Sequence, residues 1–248
     1  MATPSTPSKP QRRSSPYLLI YNTASFVLWA TVTLRLATLL PLLAPRGHVA
    51  AIYDQLFSLL LFTQSLALLE VFHSLLGIVR ASVVTTSMQV ASRILLVWGV
   101  MYVFSEGRMG AGKGLFGGSG ELSGPSKVAV GDGGRLGDWG FVGCVAAWGV
   151  TECIRYGFFA VQLFELEVPG WISWLRYNTF FVLYPIGISS ECLLMYLSIG
   201  PAREIHPAFA WFFIAVLGIY VPGSYILYTH MMSQRRKVRA ANAAKKAN

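Results

Sequence analysis

The chain has 248 residues, about one domain's worth, of which 54% are apolar and only 12% charged. A water-soluble domain carries about 25% charged residues, so this composition, with a mean hydropathy of +0.53, excludes an ordinary soluble fold and makes lipid the solvent. The net charge of +9 sits at the two ends: Lys9, Arg12 and Arg13 precede the first apolar run, and Arg235, Arg236, Lys237, Arg239, Lys245 and Lys246 follow the last. No basic stripe interleaved with aromatics lies inside a folded segment, which argues against nucleic acid as a partner.

Residues 1–16 are rich in Ser, Pro and Lys and read as a disordered cytosolic tail rather than a signal peptide. A membrane helix needs about 20 mostly apolar residues, and six runs meet that length approximately. The first is predicted over Tyr17–Leu40, broken by Pro41, Pro45 and Gly47. The second covers Ile52–Val79 and the third Met88–Phe104. A glycine-rich stretch, 105–138, has no hydrophobic period and reads as a flexible loop. Its acidic and basic residues balance, which places it on the lumenal side. The fourth run covers Trp139–Phe164, and Pro169 and Gly170 mark the next turn. The fifth covers Leu175–Ile199, closed by Gly200 and Pro201. The sixth covers Pro207–Met232 and has no charge except a possible one on His230.

Basic segments that flank apolar spans remain in the cytosol. Both tails are basic, so both termini are expected there, which demands an even number of spans. The predicted architecture is an all-α membrane protein, a six-transmembrane-helix bundle filling 17–232, with a basic cytosolic tail over 233–248.

An ionisable group in hydrocarbon costs at least about 2.5–3.5 kcal/mol, and this chain carries many. Glu70 and His73 share a face of the second span. Gln89 and Arg93 are four apart on the third. Glu152, Arg155 and Tyr156 lie on the fourth. The structural reading pairs Glu152 with Arg155 along one helix, and Glu70 with Arg93 between helices. Cys144, Cys153 and Cys192 lie in apolar runs without CxxC spacing, and read as small core residues rather than metal or redox ligands.

The fifth span differs. Tyr177, Tyr184 and Glu191 recur every seven residues, an advance of about 700°, so they form one stripe. Glu191 has no basic residue within a turn on its own helix. Such a carboxyl either finds a partner elsewhere or becomes a general acid or base able to work near neutral pH. Pro185 predicts a kink, and Gly187, one turn past Tyr184, would let a ligand approach the backbone. The Tyr184 and Glu191 Cα atoms would be about 10 Å apart in a straight helix, too far to touch but able to bracket a few substrate atoms.

The segment Leu183-Tyr184-Pro185-Ile186-Gly187-Ile188-Ser189-Ser190-Glu191 resembles the Tyr-Pro-x-Gly-x-x-x-Glu motif of the very-long-chain (3R)-3-hydroxyacyl-CoA dehydratases, the protein tyrosine phosphatase-like A family. Tyr17 to Asn22, Leu69 to His73 with Gly77, Gln89 with Ser92-Arg93, Glu152 to Tyr156, and Leu175 to Tyr177 are similar to that family in the same order. The glycine-rich insert between spans three and four is longer than the family's usual loop.

The resemblance implies a multi-pass endoplasmic-reticulum enzyme of fatty acid elongation that converts a long-chain 3-hydroxyacyl-CoA to the trans-2-enoyl-CoA. Its catalytic pair carries over to Tyr184 and Glu191. The chain's Lys245-Lys246-Ala247-Asn248 is similar to a dilysine retrieval signal. Phosphatase chemistry, which needs a cysteine six residues before an arginine, is not expected, because no cysteine here has that arginine. No metal or cofactor is expected, CoA being part of the substrate. Tyr177 and Gly187 are further candidate substrate contacts, with Arg176, Arg80 and Arg93 as basic ones. Arg176 and Arg80 are candidates for the CoA phosphates, although both also read as positive-inside anchors. The expected partners are the lipid bilayer and other elongation enzymes in the same membrane. A transporter or lipid-handling scaffold is the alternative class, but neither needs the Tyr184–Glu191 stripe beside Pro185 and Gly187.

Overall fold

The structure is a computed structural model that describes residues 16–79, 81–109, 114–116 and 135–247. The expected N-terminal tail up to residue 15, Arg80 and most of the glycine-rich stretch lie outside the described residues.

Helix α1 spans Pro16–Leu43; proline suits its first position, where an N–H would have no helical partner. A 3-10 turn, Ala44–Arg46, follows, and Gly47 at φ +75° supplies the left-handed residue that reverses the chain. Helices α2, Ala50–Ser65, and α3, Leu68–Leu75, together form the second apolar run. Helix α4, Val83–Ile94, begins at the N-cap Ser82 and continues as a π-helix over Leu95–Tyr102. In that wider helix the Met101 carbonyl accepts a hydrogen bond from the Tyr53 hydroxyl at 2.6 Å.

A short helix α5, Glu106–Met109, opens the glycine-rich stretch. Within it, the described residues 114–116 pack against the bundle. Phe116 is buried against Tyr53 and Phe141, and the Leu115 N–H bonds the Phe104 carbonyl. Helix α6 spans Leu136–Leu163, its start fixed by the Arg135 N–H donating to the Asp138 carboxylate. Helix α7, Gly170–Asn178, meets α8, Phe180–Ile205, at Thr179. Helix α9 runs 41 residues, Pro207–Ala247.

Two prolines do not stop helices where the sequence suggests. Pro41 lies inside α1, and Pro201 lies inside α8, which ends only at Ile205. A proline deletes one hydrogen bond, whereas unwinding a turn in lipid would strand several polar groups.

Among the described residues, five helical stretches are long and apolar enough to cross a membrane: Pro16–Arg46, Ala50–Leu75, Val83–Tyr102, Phe180–Ile205 and Pro207–Ala240. The expected fourth run corresponds to α6. It has the length, 28 residues, but Asp138, Glu152 and Arg155 make it less apolar.

Helix α6 is instead the packing centre, with α1 on one side and α8 on another. Its glycines explain the closeness. A Cβ on Gly149 would stand 2.4 Å from Thr33 Oγ1 of α1. One on Gly143 would stand 2.4 Å from Ser190 Oγ of α8, and one on Gly140 would stand 2.8 Å from Leu194 Cδ2. Small residues allow this approach where lipid supplies no hydrophobic drive. The pairs 140 with 194, 143 with 190 and 147 with 187 fix α6 and α8 as antiparallel.

Candidate active site

The antiparallel register brings Trp148 to Glu191. Side chains on a helix tilt toward its N-terminus. On opposed helices, the Trp148 and Glu191 side chains therefore lean toward each other. Trp148 Nε1 donates to Glu191 Oε1 at 2.8 Å. The other carboxylate oxygen, Oε2, accepts from the Tyr220 hydroxyl of α9, also at 2.8 Å. Glu191 is only 8% exposed, so these donors stand where water otherwise would.

Tyr184, half-buried one stripe position earlier on α8, does not touch Glu191. Its hydroxyl donates to the Ser224 carbonyl of α9 at 2.8 Å, and its ring lies 5.7 Å from that of Tyr228. Tyr220 and Ser224 are four apart, so a single face of α9 holds both residues of the α8 motif.

A second polar system starts beside this one. The Arg93 guanidinium lies 5.4 Å from the Trp148 ring centroid and pairs with Glu152. Arg155 bonds the other Glu152 oxygen at 2.6 Å and holds Glu70 by two bonds of 2.9 and 2.8 Å. Tyr156 also donates to Glu70, and Tyr17 bonds His73 at 2.7 Å. Charged and hydroxyl groups thus run from α1 and α3 through α6 to α4 and the Glu191 carboxylate. The expected Glu152–Arg155 pair forms. The expected Glu70–Arg93 pair does not: Arg155 reaches across to Glu70, and Arg93 takes Glu152 instead.

The remaining expected residues divide. Gly187 is buried against α6, where a Cβ would meet that of Ala147 at 3.4 Å, so its absent side chain serves the α6–α8 seam. Tyr177 and Arg176 lie on α7, separated from the α8 motif by Thr179. Arg176 stacks over Phe158 and Phe159 at 4.4 and 4.8 Å. Gln89 is exposed. Among the described residues no cluster of His, Cys, Asp or Glu could hold a metal ion.

Trp148 and Tyr220 were not singled out by the sequence, since neither is charged and tryptophan and tyrosine are common in membrane helices. The available signal was the turn at His206. Folding back there sets residues whose numbers sum to about 411 opposite one another, which places Tyr220 at the level of Glu191.

The chain that carries this site is similar to known proteins over most of its length. The sequence model described as protein tyrosine phosphatase-like protein, PTPLA, matches residues 64–241. The chain belongs to the PTPLA family. Among its members, the probable very-long-chain (3R)-3-hydroxyacyl-CoA dehydratase of Schizosaccharomyces pombe is 37% identical, over 93% of this chain and 96% of its own length. The very-long-chain (3R)-3-hydroxyacyl-CoA dehydratase PASTICCINO 2A of Oryza sativa subsp. japonica is 34% identical, over 90% and 93%. Very-long-chain (3R)-3-hydroxyacyl-CoA dehydratase 2 of Homo sapiens is 32% identical, over 91% and 81%. No solved structure matches. The PTPLA match contains Glu70, Trp148, Tyr184, Glu191 and Tyr220, and begins after Tyr17 and Tyr21 of α1.

Proposed function

We propose that this protein removes water from long-chain (3R)-3-hydroxyacyl-CoA to give the trans-2-enoyl-CoA, a hydro-lyase step of fatty acid elongation. The relatives' names support the reaction. One observation supports the roles: the hydrogen bonds at the two motif residues have chemically forced directions. A carbonyl cannot donate, so Tyr184 carries its proton when it bonds Ser224. An indole nitrogen only donates, so Glu191 Oε1 accepts. On this reading the group that must bear a proton, Tyr184, is assigned as the acid, and the carboxyl that accepts from Trp148 is assigned as the base.

Glu191 then takes the C2 proton of the thioester. The C3–O bond breaks, and Tyr184 gives its proton to the departing hydroxyl, which leaves as water. The proton gained by Glu191 returns to the Tyr184 phenolate, and the site is reset. The side chains supply an acid and a base, and CoA enters as part of the substrate rather than as a cofactor.

The setting follows from the same reading. Helix α6, the fourth span in chain order, crosses with the five apolar stretches to make six spans, antiparallel to α1 and α8, so both termini lie on one face, the cytosolic one. The membrane is the endoplasmic reticulum, where other elongation enzymes supply the substrate and take the product. The charged CoA head stays at the cytosolic surface, with Arg176 near its phosphates. The acyl chain runs between helices into lipid.

Purified full-length protein, incubated with a long-chain 3-hydroxyacyl-CoA, is expected to form the trans-2-enoyl-CoA, and Glu191→Gln is expected to abolish it. Full activity in Glu191→Gln would sink the assignment of the base.

A further inference from the structure

A buried carboxylate with three rotatable bonds is a poor base unless something fixes its plane. On α8 nothing does, and the nearby cation, Arg93, is committed to Glu152. The Glu191 oxygens are instead held one each, by Trp148 of α6 and Tyr220 of α9, both at 2.8 Å. An ionised carboxylate has about four acceptor sites. Two are filled from two different helices, and two remain for a substrate proton.

We infer that Tyr220 and Trp148 are positioning residues for Glu191, forming a two-point cradle that aims the carboxylate at C2 of the substrate. This rests on the dehydratase reading and extends it to residues outside the Tyr184–Glu191 motif. Tyr220 has the wider role. It lies one turn, about 6 Å, before Ser224, whose carbonyl holds Tyr184. Helix α9 therefore sets base and acid together, and a shift of α9 moves both. Trp148 is in turn supported from behind by the Arg93 guanidinium over its ring.

The consequence is specific to proton abstraction. Removing the Tyr220 hydroxyl leaves the substrate's binding surfaces in place but lets the carboxylate turn about its last bond. Misplacement of a reacting group by a fraction of its contact distance slows chemistry without weakening binding. A hydrogen bond to a charged group, once lost, corresponds to about a ten- to hundredfold change in rate.

The test is Tyr220→Phe in the purified full-length protein, assayed with a 3-hydroxyacyl-CoA and with the same substrate deuterated at C2. The expected result is kcat lowered about tenfold or more, KM unchanged, and a C2-deuterium isotope effect on kcat larger than in wild type. Trp148→Phe removes the opposite donor and is expected to do the same, so the cradle is tested even if one variant does not accumulate. Unchanged kcat in either variant overturns the inference. So does a loss in which the isotope effect keeps its wild-type value, because that is the signature of damage elsewhere. Failure of the dehydratase reading looks different: wild type itself forms no enoyl-CoA.

Discussion

Tyr184 on α8 donates its phenolic hydrogen to the carbonyl oxygen of Ser224 on α9, 2.8 Å away. A residue of the α8 motif is thus held by backbone, which no side-chain substitution at position 224 can remove. The arrangement keeps the hydroxyl protonated and at a constant height in the bundle. Under the proposed mechanism, the hydroxyl has to swing from Ser224 to the leaving oxygen.

The first expectation follows. Tyr184→Phe deletes the proposed acid and costs the fold one half-buried hydrogen bond, about 1 kcal/mol. Activity is expected to fall at least about a hundredfold, the usual share of a positioned acid, while the amount of folded protein is unchanged. Enoyl-CoA formation per milligram of monodisperse protein measures both. Activity within twofold of wild type, about 0.4 kcal/mol, would remove Tyr184 from the chemistry.

A second expectation concerns the charges between α3, α4 and α6. Glu152 has one oxygen on Arg93 and the other on Arg155, and Arg155 also holds Glu70. Removing one partner of a fully buried pair strands the other at a cost of about 3–5 kcal/mol, and the part-buried Arg155–Glu70 pair is expected to cost less than that. Arg155→Leu leaves Glu70 without its cation and is expected to lower the thermal midpoint in detergent sharply. Glu70→Gln combined with Arg155→Leu is expected to recover part of that loss, because the stranded charge is gone. A double variant no more stable than Arg155→Leu alone would show that Glu70 is not stranded by the loss of its cation.

Much of this was legible in the sequence, and the reason is physical. Apolar runs of about 20 residues bounded by Gly and Pro have few alternatives in lipid. Period-seven spacing put Tyr184 and Glu191 on one stripe before any helix was placed. What sequence could not give was which helix faces that stripe. Glu191 was expected either to stand alone or to find a partner elsewhere, and its partners, Trp148 and Tyr220, come from helices whose register depends on glycines in α6 and the turn at His206. The exchange of partners between Glu70 and Arg93 has the same origin. Spacing along a helix predicts its faces, whereas pairing across helices depends on which backbones can approach.

That dependence makes the α6 glycines a third test. A Cβ at Gly143 would stand 2.4 Å from Ser190 Oγ, whereas one at Gly187 would meet Ala147 at an ordinary 3.4 Å. Gly143→Val is expected to force α6 and α8 apart at a cost of about 1–3 kcal/mol and to lift Trp148 from Glu191, lowering kcat along with stability. Gly187→Ala is expected to accumulate like wild type. Melting and turnover measured on the two variants side by side check the contrast; equal tolerance at both positions would mean that the seam is not what sets the site.

The last expectation separates recognition of the CoA head from chemistry. Arg176 lies on α7, outside the α8 motif, and its guanidinium rests on the rings of Phe158 and Phe159. Stacking fixes the plane of an arginine but leaves its N–H groups able to meet phosphate. Arg176→Gln is therefore expected to raise KM for a 3-hydroxyacyl-CoA severalfold to about tenfold, the worth of one charged contact, with kcat preserved. The same variant is expected to match wild type on a 3-hydroxyacyl thioester of N-acetylcysteamine, which carries no phosphate. Equal losses on both thioesters would assign Arg176 to holding α7 against α6 rather than to the substrate's charge.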